Sequence, residues 1–269
     1  MTFKIGAHVS IAGGFSKVAG RLEEINANCG QIFVHSPRGW SFPRLDEEDV
    51  EKFKEEKDKY EPVVVHASYL INLAASDEAL RQKGIQGIKK ESAIMNKLEI
   101  KYLIVHSGSN PNREEGKKQL KKSLKEIINE TNGIKILLEN SSGAGNLLNN
   151  TFEEWSEIIN EYKEIGACLD TCHAHAAGYD MKNIKEIIKE LEKNKLIDKI
   201  EVVHLNDSRG EMNSKLDRHE HLGQGTIGKD GIKKIINSEL KNKIFILETP
   251  TDENKGFKEN IEYAKKLRE

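Results

Sequence analysis

The chain has 269 residues, a formal net charge of −2 at pH 7 and three cysteines. Its length exceeds that of a typical single domain, but α/β barrels of about 250 residues commonly form one domain, so length alone leaves both organisations open. No apolar run approaches the roughly 20 residues that a membrane-spanning helix needs, and the N-terminus lacks the pattern of a secretion signal. We therefore expect a soluble cytoplasmic protein with reduced cysteines. The charge argues against a protein that coats nucleic acid, although it leaves room for a local basic face.

Short apolar runs with the composition of β-strands recur along the chain at intervals of roughly 30 to 40 residues. In chain order the eight runs are KIGAHVS, CGQIFVHS, PVVVHASY, YLIVHSG, IKILLENS, GACLDTCH, IEVVHLND and KIFILETP. Between them lie charged segments with helical periodicity, such as DEEDVEKFKEEKDKY, EEGKKQLKKSLKEIINE and NIKEIIKELEKNK. Eight apolar strands that alternate with amphipathic helices predict an α/β fold, the closed (β/α)8 TIM barrel. Because no Pro-rich or Gly/Ser-rich linker interrupts the pattern, we expect residues 1–269 to form a single domain.

Each predicted strand ends near a side chain that can bind a metal ion or transfer a proton. These residues are His8, His35, His66, His106, Glu139, Asp170, His204 and Glu248. In a TIM barrel the carboxyl ends of the strands form the catalytic face, so we expect these side chains to converge there. Two loops are expected to add to this ring. They carry His173, three residues after Asp170, and the pair Asp217 and His219.

The density of histidines and carboxylates at this face indicates a multinuclear metal site. A lone histidine at a strand end is more often a hydrogen-bonded loop residue than a ligand, but seven of the nine histidines fall at these strand ends or just after them. Buried charges at that density repel one another unless cations lie between them. Imidazole and carboxylate donors suit zinc, with manganese or iron as alternatives.

Four further residues near this face are expected to have other roles. Cys168 and Cys172 could supply thiolates, but apolar packing is the better explanation for both. His175 and His221 each lie two residues beyond a stronger candidate, so we expect them to be loop residues or to support the ligands from outside.

Three segments are similar to the signature motifs of the endonuclease IV family, which comprises metal-dependent apurinic/apyrimidinic endonucleases of DNA repair. They are HASYLINLA (66–74), CLDTCHAHAAGYD (168–180) and VHLNDSRGEMNSKLDRHEHLGQGTIG (203–228). The resemblance covers nearly the whole chain, beginning with IGAHVS near the N-terminus. It implies a TIM barrel and a metal-dependent hydrolase of the deoxyribonuclease IV type. Such an enzyme cuts the phosphodiester bond 5′ to an abasic site in double-stranded DNA and leaves a 3′-hydroxyl and a 5′-deoxyribose phosphate.

The same resemblance implies three zinc ions and assigns a ligand set to each. The first ion takes His66, His106 and Glu139. The second takes Glu139, Asp170, His204 and Glu248, with Glu139 as the bridging, catalytic carboxylate. The third takes His173, Asp217 and His219. The expected partner is double-stranded DNA with abasic sites; no obligate protein partner is implied, and the sequence itself predicts no membrane association.

The resemblance also nominates residues that contact DNA. Arg38 and Tyr69 are expected to insert into the duplex at the abasic site, with Trp40 packing beside them. At three positions the sequence departs from the family pattern: His175 replaces an aromatic residue, Arg209 replaces lysine and keeps its charge, and Asn213 replaces glycine. Asparagine tolerates the left-handed backbone region better than most residues, so the third change is compatible with a glycine conformation.

Two other classes of function remain as alternatives. Sugar isomerases and epimerases with similar barrels carry a quartet like Glu139, Asp170, His204 and Glu248. They need only one or two ions, which would leave the other candidate ligands unexplained. A DNA-binding protein without catalytic activity would leave the whole ligand set without a purpose.

Overall fold

Eight parallel strands close into a barrel in the computed structural model, which describes residues 2–131, 133–253 and 255–269. In chain order the strands of the barrel and of one additional hairpin are β1 (Lys4–His8), β2 (Cys29–Ile32), β3 (Val63–His66), β4 (Tyr102–His106), β5 (Lys135–Glu139), β6 (Ile165–Asp170), β7 (Ile200–His204), β8 (Asp207–Ser208), β9 (His219–Glu220) and β10 (Ile244–Leu247). The barrel order is β1-β10-β7-β6-β5-β4-β3-β2, and β8 and β9 form a separate antiparallel hairpin. The predicted single-domain (β/α)8 barrel is confirmed.

Helices connect successive strands and cover the outside of the barrel. They are α1 (Val18–Glu24), α2 (Glu47–Lys57), α3 (Glu78–Leu98), α4 (Arg113–Glu130), α5 (Phe152–Ile159), α6 (Thr171–Ala177), α7 (Ile184–Lys193), α8 (Gly228–Ile236) and α9 (Phe257–Leu267). Short 3-10 segments occur at Phe15–Lys17, Asp58–Tyr60 and Glu239–Asn242. The three helices that the charged segments predict are present as α2, α4 and α7. Within the described residues, no helix is long and apolar enough to span a membrane.

The barrel interior is filled by one apolar side chain from each of seven strands. This cluster contains Cys29, Val64, Ile104, Leu137, Cys168, Val202 and Ile246. Side chains alternate between the two faces of a strand, so the residue two positions later also points into the barrel. Two positions beyond Val64 and Ile104 lie His66 and His106, and the same step leads from Leu137 to Glu139. Alternation along parallel strands therefore brings the strand-end polar residues together above one apolar layer.

The structure corrects two expectations about the residues at this face. Strand β2 ends at Ile32, so His35 lies three residues beyond the strand. His35 is buried against α3, with its Nε2 atom 2.8 Å from Oε1 of Glu91, and it is not among the converging side chains. The segment expected to be a loop around His173 is the short helix α6. The expectation that all eight strand-end residues converge is therefore wrong for His35.

Two glycines provide a test of the barrel packing. A methyl group on Gly6 of β1 would lie 1.8 Å from the carbonyl oxygen of Cys29 in β2, whereas a methyl group on Gly20 of α1 would meet nothing within 4 Å. We expect Gly6→Ala to lower the free energy of unfolding by more than about 3 kcal/mol because the two strands must separate. Gly20→Ala should raise it by about 0.5 to 1 kcal/mol because alanine favours the helix. Urea unfolding measures both, and an unchanged midpoint for Gly6→Ala would contradict the packing of β1 on β2.

Candidate metal centre

The carboxylate of Glu139, the last residue of β5, lies between two sets of imidazoles and is fully buried. Its Oε2 atom is 3.3 Å from Nε2 of His66 and 3.6 Å from Nε2 of His106. Its Oε1 atom is 3.2 Å from Nδ1 of His204. The two oxygens therefore face different groups of nitrogen donors, which is the arrangement that a bridging carboxylate requires.

The candidate ligands fall into three groups, and within each group the donor atoms lie no more than 4.8 Å apart. The groups are His66, His106 and Glu139; Glu139, Asp170, His204 and Glu248; and Asp170, His173 and His219. Asp217 approaches the third group, because its Oδ1 atom is 3.3 Å from Nε2 of His173 and 3.6 Å from Nε2 of His219. The structure thus brings together all nine residues that the sequence nominated as ligands.

Four of the five candidate histidines are held by a hydrogen bond to one ring nitrogen, which turns the other nitrogen towards the centre. In three of them Nδ1 faces a backbone carbonyl oxygen, at 2.8 Å from Ala67 for His66, 3.1 Å from Asn140 for His173 and 3.0 Å from Glu248 for His219. The fourth, His204, faces the side chain of Gln31 through Nε2 at 2.8 Å. Metal-binding histidines are usually oriented in this way.

Helix α6 positions two of the candidate ligands together. Asp170 ends β6 and caps the helix, since its Oδ1 atom accepts the backbone N–H of His173 at 2.7 Å. The cap fixes the His173 ring relative to the carboxylate that precedes it. Sequence periodicity could not identify a helix of seven residues, but an aspartate three positions before the amide that it caps is a recognisable start signal.

Two asparagines that sequence reasoning did not nominate support the carboxylates. Asn206 donates from Nδ2 to Oδ2 of Asp170 at 2.7 Å, and its Oδ1 accepts the backbone N–H of Glu248 at 2.9 Å. Asn140 accepts the backbone N–H of Asp170 at 2.7 Å. Both residues follow a strand-end ligand within two positions, and this was the available signal.

Burial and charge together set the protonation of the centre. Burial alone would raise the pKa of Glu139, but the imidazoles of His106 and His204 hold it well below its ordinary value. Burial opposes the charged form of His173, yet Asp170 and Asp217 raise the pKa of this ring well above its ordinary value. Burial also raises the pKa of Asp217, but the hydrogen bond from His173 outweighs it and lowers the value to about 2. A metal ion must therefore displace protons from His173 and His204, whose pKa values are both raised by neighbouring carboxylates despite burial, so its affinity should fall as the pH falls.

The donor set fits metal ions of the kind that bind imidazole and carboxylate. Nε2 of His219 is buried and has no hydrogen-bond partner among the described residues, although Asp170 and Asp217 lie 3.7 and 3.6 Å away. A cation between these atoms would satisfy them together. The cysteines do not compete for this role, because all three are free and buried and burial raises the pKa of Cys168 and Cys172 to about 12.

Comparison with known proteins identifies relatives over nearly the whole chain. Residues 20–267 match the family described as the xylose isomerase-like TIM barrel. Probable endonuclease 4 of Halothermothrix orenii is 40% identical over 259 residues, which cover 92% of this chain and 93% of that protein. The crystal structure of endonuclease IV from Thermus thermophilus is 33% identical, covers 98% of both chains and has a TM-score of 0.88. The chain belongs to the endonuclease IV family.

A D-tagatose 3-epimerase-like protein shares the fold alone. It is 24% identical, and the match covers 97% of this chain and 94% of that protein with a TM-score of 0.70.

Two residues that the endonuclease IV resemblance nominated for DNA contact lie on adjacent loops at the rim of the centre. Tyr69 follows β3 and is 55% exposed, with its ring edge-on to Phe33 at 5.3 Å. Arg38 is exposed on the loop after β2. Ser68 joins the two loops by donating to the carbonyl oxygen of Pro37 at 2.9 Å. Trp40 packs on α3 instead of projecting, with Nζ of Lys83 4.6 Å from its ring centroid.

Three positions with specific expectations have clear structural outcomes. His175 is buried within α6 and is not a loop residue, and neither ring nitrogen has a hydrogen-bond partner among the residues described. It therefore does not support a ligand by hydrogen bonding. His221 lies in a loop, with Nε2 2.9 Å from Oδ2 of Asp252. Asn213 has φ 65°, so the left-handed backbone expected for this replacement of glycine is present.

Asp207, in β8, holds the loop that carries Asp217 and His219. It is fully buried, and its two oxygens accept backbone N–H groups from Ser208 and from four residues in the segment 223–228. Only glycine fits at Gly225, because a methyl group there would lie 2.4 Å from the carbonyl oxygen of Ser208. One carboxylate thus fixes both ends of the loop.

Replacing this carboxylate by its amide provides a test of its role. We expect Asp207→Asn to lower the free energy of unfolding by at least about 2 kcal/mol, because the amide N–H groups would face backbone N–H donors. Amide hydrogen exchange across residues 209–226 should accelerate in the folded protein. Asp198→Asn, at an exposed turn ahead of β7, is the matched control and should change neither property. Unchanged stability and exchange in Asp207→Asn would show that other contacts hold the loop.

Proposed function

We propose that this chain is a metal-dependent DNA-repair endonuclease that hydrolyses the phosphodiester bond 5′ to abasic sites in double-stranded DNA. The observation that carries the proposal is the complete set of nine donors arranged around Glu139. Membership of the endonuclease IV family supports it. The products would be a 3′-hydroxyl and a 5′-deoxyribose phosphate.

The proposed centre holds three zinc ions, with manganese or iron as possible substitutes. The first would be bound by His66, His106 and Glu139; the second by Glu139, Asp170, His204 and Glu248; the third by His173, Asp217 and His219. Asp170 also lies within reach of the third group. Bound ions of this kind supply a nucleophile at neutral pH and neutralise the charge that develops on the phosphate. Glu139 would set the separation of the first two ions, because its two oxygens face their separate ligand sets.

Selectivity for abasic sites would come from the rim. A nucleotide that has lost its base costs less to extrude from the duplex than an intact one, since it has no stacking or pairing to break. Tyr69 and Arg38, both exposed, would fill the gap that the nucleotide leaves. Because the formal net charge is −2, attraction for DNA would come from a local basic face. Arg209, Lys215 and Arg218 lie on the loop 209–218, where Arg209 pairs with Glu220.

A sugar epimerase is the second candidate, and the ligand set argues against it. The quartet Glu139, Asp170, His204 and Glu248 would suffice for such an enzyme. Five other residues would then carry imidazole and carboxylate groups at this face without use: His66, His106, His173, Asp217 and His219. The structural similarity to an epimerase-like protein extends to the fold alone.

The proposal is tested by incubating the metal-loaded protein with a duplex that contains one reduced abasic analogue. We expect a nick on the 5′ side, with a 3′ end that a polymerase extends, because hydrolysis acts on the phosphate and needs no sugar aldehyde. Chelator treatment should abolish the nick, and added magnesium should not be required. A lyase would fail on the reduced analogue. Intact DNA at high protein concentration and full metal loading would overturn the proposal, and turnover of a free ketose in that preparation would favour the epimerase.

The bridging role of Glu139 predicts a specific loss in Glu139→Gln. Cleavage should fall by more than about 100-fold because the amide removes the charge shared by two ions. The dissociation constant for abasic duplex should change by only a few-fold, since the rim residues remain. Glu157→Gln on the outer surface of α5, where Glu157 pairs with Lys117 and Lys121, is the matched control. Cleavage within a few-fold of the parent protein would exclude Glu139 as the bridge.

The rim residues predict a difference between damaged and intact DNA. Tyr69→Ala should cost about 1 to 3 kcal/mol of binding free energy on abasic duplex, the range found for lost stacking, and much less on intact duplex. Arg38→Ala should show the same preference. Lys59→Ala, an exposed position ahead of β3 at the opposite end of the barrel, should affect neither substrate. Equal losses on both duplexes would reduce Arg38 and Tyr69 to general phosphate contacts.

A further inference from the structure

Gln31 occupies the position of β2 that matches the strand-end ligands of the other strands. It lies two residues after Cys29, which belongs to the apolar layer inside the barrel, so its side chain points into the barrel above that layer. The register pairs it with His8, the last residue of β1. Gln31 is fully buried. It therefore stands where His35 was expected, within the ring of candidate ligands.

The amide of Gln31 contacts three members of this ring. Its Oε1 atom is 2.8 Å from Nε2 of His204. Its Nε2 atom donates to Oε1 of Glu248 at 2.7 Å and lies 2.8 Å from Nδ1 of His8. Both ends of a buried amide are thus engaged, and two of the partners are candidate ligands of the second ion.

Hydrogen-bond chemistry gives these contacts a direction. The carboxylate of Glu248 only accepts hydrogen bonds, so the amide must present its N–H groups to it. The amide oxygen then faces His204 and accepts only from a ring that carries its proton on Nε2. Nδ1 of His204 is left with a free lone pair, and this atom lies 3.2 Å from Oε1 of Glu139 and 3.3 Å from Oε2 of Glu248. The opposite amide orientation would place oxygen against the Glu248 carboxylate.

We propose that Gln31 is a positioning residue of the metal centre, which selects Nδ1 of His204 as the metal-binding atom and holds Glu248 beside it. The inference rests on the proposed assignment of His204 and Glu248 as ligands. The layer directly below Gln31 is apolar, so packing alone would favour an apolar side chain at this position. A buried amide costs free energy unless its hydrogen bonds are made. The specific contacts account for it.

The experiment compares zinc release from the purified zinc-loaded protein and from Gln31→Leu and Gln31→Met, which keep similar volume without the hydrogen bonds. Release is followed with a chromophoric chelator. About one third of the bound zinc should leave roughly 10 to 100 times faster in both variants, the usual effect of removing a residue that supports a ligand. The matched control is Asn28→Ala. Asn28 also makes two amide hydrogen bonds beside β2, to Ile5 and Phe3, but at the other end of the strand. It should lower thermal stability and leave zinc release unchanged.

Unchanged zinc release in Gln31→Leu and Gln31→Met would overturn the proposal, and so would equal acceleration in Asn28→Ala. The tautomer of His204 in the zinc-loaded parent protein provides a test that needs no variant. Long-range ¹H–¹⁵N spectra should show the proton on Nε2, and a proton on Nδ1 would overturn the proposal even if the variants fail to fold. Neither measurement uses DNA. A protein that does not nick abasic duplex but releases zinc as expected would contradict the proposed function while supporting the role of Gln31.

Discussion

The alternation of side chains along parallel strands is the constraint on which this site depends. Seven of the eight barrel strands place one apolar side chain in the interior and, two residues later, one polar side chain above it. The chain thereby collects carboxylates and imidazoles from distant strands at one height, and helix α6 and the loop that Asp207 holds add His173, Asp217 and His219. Glu139 lies at the middle of this layer, with His66 and His106 facing its Oε2 atom and His173 and His204 facing its Oε1 atom.

Such a layer is costly unless its charges are compensated. Removing several ionised groups from water costs free energy that only close pairing with opposite charges offsets. Without metal, the protein can supply this pairing only through imidazolium and carboxylate groups. The depressed pKa of Glu139 and the raised pKa of His173 are consequences of this pairing. Cations would replace those protons and satisfy the carboxylates directly. The surrounding hydrogen bonds from Asn140, Asn206 and the backbone then orient ligands whose positions the strands already fix.

Much of the fold and of the site could be predicted because both follow short-range periodicity. Apolar runs that stop at a polar residue mark the strand ends in the sequence, and this pattern identified the candidate ligands at the ends of the strands. The same signal failed at β2, where the apolar character of Ile32, Phe33 and Val34 continues past the end of the strand and moved the expected ligand from Gln31 to His35. The role of Asp207 could not be predicted, because four of its five partners lie 16 to 21 residues away and all are backbone groups without a side-chain signature. The ligand roles, the DNA contacts and the extent of the domain over residues 1–269 stay predictions.

Crystallography of the purified protein with anomalous data collected at the zinc absorption edge tests the central claim most directly. The account predicts three anomalous peaks per chain within the ring. One should lie beside His66 and His106, one beside His204 and Glu248, and one beside His173 and His219, with Glu139 between the first two. A single peak at the quartet Glu139, Asp170, His204 and Glu248, in fully loaded crystals, would contradict the trinuclear centre and place the protein with barrels that use one ion.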